Sequence, residues 1–193
     1  MEYALLGSSG MLGTEMLSAL SQPSGSAGSI NRPELEASAS LEAIVRGLAG
    51  SDSILNAAGF TAVDKAESEQ DQANLVNAGY PGKLALAAKD LGARFIHIST
   101  DYVFDGSSKT PYKTTDMPNP QSAYGRSKLA GEIAVQESGA DYQIFRTAWL
   151  YGANGNCFPK TVARVLKEQG QMKVVADQIG QPTWTKDLAE LII

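Results

Sequence analysis

Residues 2–13 read EYALLGSSGMLG, and the fold class rests on them. The run EYALL is short and apolar and ends abruptly at Gly7, as a buried strand does. Leu12, Met16, Leu17 and Leu20 then recur at helical spacing. Between the two runs lies the turn Gly7-Ser8-Ser9-Gly10-Met11-Leu12-Gly13. A strand, a glycine-rich turn and a helix in succession form the context that makes a glycine pattern a candidate dinucleotide site. Gly7 permits the tight turn, Gly10 lets the backbone approach a pyrophosphate, and Gly13 lets the helix pack closely on the strand. The N–H groups at the helix start, among them those following Ser9, would face the anion. The spacing is GxxGxxG rather than GxGxxG, so a plain strand-to-helix turn stands as the other reading.

Outward from this turn the chain alternates. A second strand is expected at residues 28–32 (GSINR), although its propensity is poor. The end of that strand meets the adenosine ribose, where a carboxylate favours an unphosphorylated sugar and an arginine accommodates a 2′-phosphate. Asn31 and Arg32 occupy it and no carboxylate precedes Glu34, so NADPH is the expected cofactor and NADH the alternative. Residues 41–48 (LEAIVRGL) read as a helix with Leu41, Ile44, Val45 and Leu48 on one face. Residues 53–58 (SILNAA) read as a third strand, and the small residues Ala57, Ala58 and Gly59 leave room for a flat ring or a ribose at its carboxyl edge. TAVDKAE, from Thr61, leads into a helix. Residues 71–91 then carry an apolar face of Ala73, Leu75, Val76, Leu84, Leu86, Ala87 and Ala88, and Pro81 predicts a bend or break near Gly79 and Tyr80.

Residues 95–99 (FIHIS) form the fourth predicted strand, which delivers Ser99, Thr100 and Asp101 to the same edge. A loop from Tyr102 to Pro120 follows, and a loop of that length is functional or disordered. Residues 142–146 (YQIFR) read as a fifth strand. Trp149, just beyond it, either stacks on a sugar or base ring or belongs to the core. Residues 158–169 form an amphipathic helix with Val162, Val165 and Leu166 inward, residues 173–175 a short strand, and residues 180–184 a loop. A last helix starts at Thr185 as its N-cap. This alternation predicts an α/β fold with a doubly wound, Rossmann-like parallel sheet and helices on both faces. Residues 1–173 would make the dinucleotide-binding domain, and residues 174–193 would begin a substrate-side subdomain.

The strongest chemical signal lies at residues 122–132, SAYGRSKLAGE. Tyr124 and Lys128 are four apart among good helix formers, so a phenol and an ammonium point the same way, one turn apart. A cation near a phenol lowers its pKa, which makes Tyr124 a candidate general acid or base. Taken alone, the spacing is equally a tyrosine packed beside a solvated lysine.

Composition narrows the partners. The 193 residues carry 43% hydrophobic side chains and a formal charge of -5, enough for one domain with a core and without the basic stripe that nucleic acid requires. Cys157 is the only cysteine, so no disulfide forms within the chain, and without a His/Cys cluster no metal site is expected. His97, the only histidine, reads as a strand residue rather than a catalyst. The start MEYALLGSSG lacks a basic leader and no run is long enough to cross a bilayer, so a soluble cytoplasmic protein is the expectation.

Several segments together resemble a known family. They are the GxxGxxG turn, NAAGFTAVDKAESE after the third strand, ISTDYVFDG after the fourth, YGRSKLAGE, FRTAWLYG and DQIGQPTW. In these the chain is similar to the dTDP-4-dehydrorhamnose reductases, which are extended short-chain dehydrogenase/reductases. The resemblance implies reduction of the C4 keto group of a dTDP-6-deoxy-4-ketohexose, with Thr100, Tyr124 and Lys128 as the catalytic set. It implies NAD(P)H on the glycine turn, with Gly10, Met11 and Leu12 near the pyrophosphate and Gly59, Phe60 and Thr61 along the cofactor's path. It implies Thr100, Asp101 and Trp149 against the sugar nucleotide, and it allows a homodimer. Family chains continue well past this length, so the substrate subdomain is expected to be largely missing. A non-enzymatic regulatory subunit of the same fold, and another sugar-nucleotide reductase or epimerase, are the alternatives that the motifs leave open.

Overall fold

In the computed structural model, which describes residues 1–21, 30–31 and 35–193, five parallel strands form the central sheet in the order β2-β1-β3-β4-β5. They are β1 (Tyr3–Leu6), β2 (Ile30–Asn31), β3 (Ser53–Asn56), β4 (Arg94–Thr100) and β5 (Asp141–Thr147). From β1 the chain steps outward to β2, then returns across β1 to β3, so the strand order reverses between β1 and β3. Ligands of open α/β sheets bind beyond the carboxyl ends of the strands at such a reversal.

The helices are α1 (Met11–Leu20), α2 (Leu41–Leu48), α3 (Val63–Ser68), α4 (Gln70–Asn74), α5 (Tyr80–Leu91), α6 (Ala123–Glu137), α7 (Phe158–Gln169) and α8 (Thr185–Ile192). Strand alternation sorts them onto two faces. Ala4, Leu6, Ile54 and Phe95 point one way and pack against Ile44, Leu48, Leu84, Ala88 and Val135 of α2, α5 and α6. Leu5, Leu55 and Ile96 point the other way and meet Leu12, Met16 and Leu20 of α1 with Leu188, Ala189 and Ile192 of α8. The doubly wound α/β sheet expected from the sequence is therefore present. The segment 174–193 contributes its helix to this core.

Two glycines act as the opening turn requires. Gly7 has φ +76°, and a Cβ there would sit 2.6 Å from the Ala58 nitrogen. A Cβ on Gly13 would collide with the Gly7 carbonyl. Without side chains at both positions, β1, α1 and the end of β3 close on one another.

Several boundaries differ from expectation, each for a physical reason. The third strand ends at Asn56, two residues early, because the Asn56 side-chain oxygen accepts from the Ala58 N–H and turns the chain. Pro81 causes no break. The helix passes it through a π segment, Leu75–Gly79, in which the Tyr80 N–H bonds to the Leu75 carbonyl. Leu75 and Leu86, expected on the apolar face, are 36% and 40% exposed. The expected strand at residues 173–175 is absent, since Val174 and Val175 are exposed and no ladder reaches them. Within the expected loop 180–184, Thr183–Trp184 form β7, which pairs in parallel with β6 (Leu150–Tyr151). Thr185 does not cap α8. Trp184 holds that position, while the buried Thr185 hydroxyl donates to the Tyr151 carbonyl at 3.2 Å. Helix α7 is present as expected, but none of its residues is buried, and Leu166 is 46% exposed rather than inward.

Candidate active site

Helix α6 begins where its sequence says it should. The Ser122 hydroxyl accepts from the Gly125 N–H at 3.0 Å, which fixes the first turn and the direction of Tyr124. Gly125 is needed there because a Cβ would strike the Tyr102 carbonyl. Tyr124 thus lies beside the carboxyl end of β4, its ring meeting the Tyr102 ring edge-on at 5.6 Å. Thr100 ends β4. Its hydroxyl donates to Asp101 Oδ1 at 3.2 Å and accepts from the Tyr102 N–H at 3.2 Å, and it lies close enough to the Tyr124 phenol to act on its pKa.

The electrostatics depart from the simple tyrosine–lysine picture. Burial is the main influence on Tyr124 and raises its pKa. The Thr100 hydrogen bond opposes this, and Asp101 and Tyr102 add to the rise. Lys128 does not draw the phenol down. Its ammonium donates to the Ile98 carbonyl at 2.7 Å. Burial lowers Lys128 itself to about 8, against the opposing charge of Glu132. At neutral pH Tyr124 is therefore a protonated phenol, suited to giving a proton. Asp101 is raised by burial, with its hydrogen bond to Thr100 acting the other way.

The remaining predicted cofactor residues follow the carboxyl ends of β1 and β3, on either side of the reversal point. Gly7, Ser9 and Gly10 form the turn into α1, whose first-turn N–H groups have no partner within the helix. Ser9 and Gly10 are exposed, and a Cβ on Gly10 would meet only the Gly7 carbonyl, at 3.3 Å. Met11 is half-buried against the turn at Gly155. The Leu12 side chain is buried in the core beside Met16, so only its backbone is left to meet a ligand. Ala57 and Ala58 are half-buried, and Gly59 and Thr61 are exposed. Gly59 lies over α6, since a Cβ there would be 3.9 Å from Lys128 Nζ. A glycine-lined cradle that runs from a helix start to a buried amine fits a dinucleotide. Asn31 ends β2 beside this edge, and Arg32 lies outside the described residues.

Ser99, Trp149 and His97 complete the edge. The Ser99 hydroxyl faces α6 and donates to Glu132 Oε1 at 2.5 Å. Trp149 is 46% exposed with φ +47°, a strained backbone for a tryptophan, and its indole lies where a Cβ on Gly180 would fall. His97 is a buried strand residue whose Nδ1 pairs with Asn56 Nδ2 at 3.1 Å. Burial holds it well below its ordinary pKa, and Lys128 adds to this.

Sequence reasoning missed Asn77, Glu132 and Arg146. Asn77, fully buried in the π segment, clamps the Phe60 backbone with both ends of its amide, at 2.9 and 3.0 Å, and also donates to Ser127 Oγ. Glu132 is one turn beyond Lys128, so the spacing that singled out Tyr124 and Lys128 reaches it as well. Arg146 shares a strand face with Ile144, a parity visible in the sequence, but its partner is not.

Comparisons with known proteins agree with this fold. The family model described as RmlD substrate binding domain matches residues 1–193. The dTDP-4-dehydrorhamnose reductase of Burkholderia thailandensis is 50% identical over 139 residues, which are 72% of this chain and 47% of the relative. The chain thus spans about half the length of the curated relatives it matches. A crystal structure of a dTDP-4-dehydrorhamnose reductase from Clostridium acetobutylicum superposes with TM-score 0.93 at 41% identity, covering 100% of this chain and 69% of that one. One from Bacillus anthracis, in complex with NADP, superposes with TM-score 0.91 at 36% identity, covering 99% and 68%.

Proposed function

The chain belongs to the RmlD substrate binding domain family, and from that premise we propose that it performs the NADPH-dependent reduction of the C4 keto group of a dTDP-6-deoxy-4-ketohexose, dTDP-4-dehydro-L-rhamnose. The observation that carries the proposal is the Tyr124 phenol, kept protonated by burial and set beside Thr100, Asp101 and Tyr102 at the carboxyl edge of the sheet. Reduction of a ketone ends with an alkoxide that must take up a proton, and Tyr124 is the acid placed to give it. Thr100 lies beside the phenol, and its hydroxyl is the second donor placed for the ketone oxygen. Lys128, anchored on the Ile98 carbonyl, lies under Gly59, where a ribose of the cofactor would pass.

The nicotinamide, when bound, supplies the hydride. The chain's own residues bind and orient it. The first turn of α1 takes the pyrophosphate, and Ala57, Ala58, Gly59, Phe60 and Thr61 shape the path to Lys128. NADP in the Bacillus anthracis relative supports NADPH over NADH. Asp101 and Trp149 belong on the sugar side. Among the described residues no helix is long and apolar enough to cross a membrane. A cytoplasmic location, a homodimer and a substrate-side subdomain starting near residue 174 are parts of the same proposal.

The test is Tyr124→Phe, which removes one oxygen and leaves the ring. NADPH affinity, followed by fluorescence titration, should hold, while oxidation of NADPH by the ketosugar nucleotide should slow about a hundredfold or more. Unimpaired turnover in the variant would remove Tyr124 from the reaction. Cofactor binding by the parent protein without any oxidation would favour a nucleotide-binding regulatory module.

A further inference from the structure

Beyond Lys128 the buried stripe of α6 continues to Glu132, which is 1% exposed. A carboxylate so deep needs a cation and hydrogen bonds. Lys128 does not supply the contact, because its ammonium is spent on Ile98. Arg146 of β5 does. Its Nε lies 2.9 Å from Oε1 and 3.2 Å from Oε2, and its outer nitrogen 2.6 Å from Oε2, a fork-on-fork pair. Ser99 donates to Oε1 from the neighbouring strand.

The other side of the same guanidinium faces the long loop. Arg146 covers the Phe104 ring at 4.9 Å, and Phe104 stacks on Tyr112 with centroids 4.2 Å apart and planes within 3°. The Tyr112 hydroxyl donates to Asp105 Oδ1 at 2.8 Å. Asp105 also accepts from the Ser107 N–H and hydroxyl and from Asn119 Nδ2. The Asn119 N–H closes the loop on the Val103 carbonyl at 2.9 Å. Residues 105–119 are mostly exposed, so burial does little to hold them. The loop is tied within itself, and the stack on Arg146 fastens it to the sheet. Its two ends, Tyr102 and Pro120, lie against Gly125, next to Tyr124.

We propose that Arg146, gripped by Glu132 on one side and laid over Phe104 on the other, is a positioning residue that sets residues 104–120 as a fixed wall of the sugar-nucleotide site. The role rests on the reductase reading above. It acts through Phe104 and Tyr112 rather than by touching substrate. A lysine cannot replace the arginine, because a point charge neither forks onto the carboxylate nor lies flat on a ring.

Breaking the buried pair outright risks the whole fold, so the test uses Phe104→Leu, which leaves that pair intact, beside Arg146→Lys. Amide hydrogen exchange is read on the ligand-free proteins, and KM and kcat are read with NADPH and the ketosugar nucleotide. In both variants exchange across residues 104–120 should quicken about tenfold while β4 and α6 keep their protection. KM for the sugar nucleotide should rise by a larger factor than kcat falls. Loop exchange equal to the parent's, or a quickening shared by β4 and α6, overturns the proposal, and so does a loosened loop with KM unchanged. If the parent itself does not turn over, the reductase reading fails, and the exchange data still decide whether the clamp exists.

Discussion

Lys128 shows what the site costs the fold. The residue is 5% exposed, and burial brings its pKa from 10.5 to about 8. Between those values the unfolded chain holds more protons than the native one, so stability rises with pH across that window. Below it, the full cost of burying the charge is present. Lys128→Met removes the charge and keeps an unbranched side chain of similar length. Relative to the parent, the variant should be most favoured at neutral pH, and that advantage should shrink by on the order of 3 kcal/mol as pH climbs toward 10.5. Urea unfolding of both proteins at a series of pH values measures it, and a difference independent of pH would contradict the assignment. Tyr124 belongs to the same scale. Its raised pKa suits an acid, and the phenylalanine variant separates binding from proton delivery. Both residues were legible in the sequence because a four-residue spacing is a local signal. Their coupling was misread, because the sequence did not show that Ile98 takes the ammonium.

At the scale of elements, the site depends on how closely α6 meets the π segment. Pro81 has no N–H, so the Asn77 carbonyl cannot take the ordinary bond from it. The π segment absorbs this change and brings the Asn77 amide onto Phe60 and Ser127. Gly131 of α6 faces the Asn77 carbonyl so closely that a Cβ would collide with it. Gly131→Ala should therefore push the two helices apart and destabilise the protein by about 2 kcal/mol or more, although alanine is the better helix former. Thermal unfolding measures this, and a neutral or stabilised variant would contradict the close approach. The sequence offered a bend or a break at the proline, and could not show the π segment that takes the place of a break, because propensity rules describe one helix at a time. It misjudged residues 173–175 and Thr185 for a related reason. Val174 and Val175 have strand propensity but no neighbouring ladder. Thr185 has a capping side chain but found a carbonyl, that of Tyr151, across the chain.

For the whole molecule, the order of strands explains why residues far apart in sequence reach one edge. The reversal between β1 and β3 opens the crevice, α1 points its start into it, and β4 and α6 bring Thr100, Tyr124 and Lys128 to its far side. The Arg146 clamp, joining two elements and a loop, could not be read from any single stretch. Its test by hydrogen exchange asks whether that junction holds at a distance from the chemistry. The central claim is hydride delivery to a sugar C4 with Tyr124 as the acid, and following the label tests it most directly. The protein is supplied with NADPH carrying deuterium on the transferring face of the nicotinamide and with the dTDP-4-keto sugar, and the product is read by proton NMR. Deuterium should appear at C4 of the hexose in the parent protein, and at about a hundredth of that level or less in Tyr124→Phe over the same time. Label at another carbon, or cofactor bound with no label transferred, would contradict it.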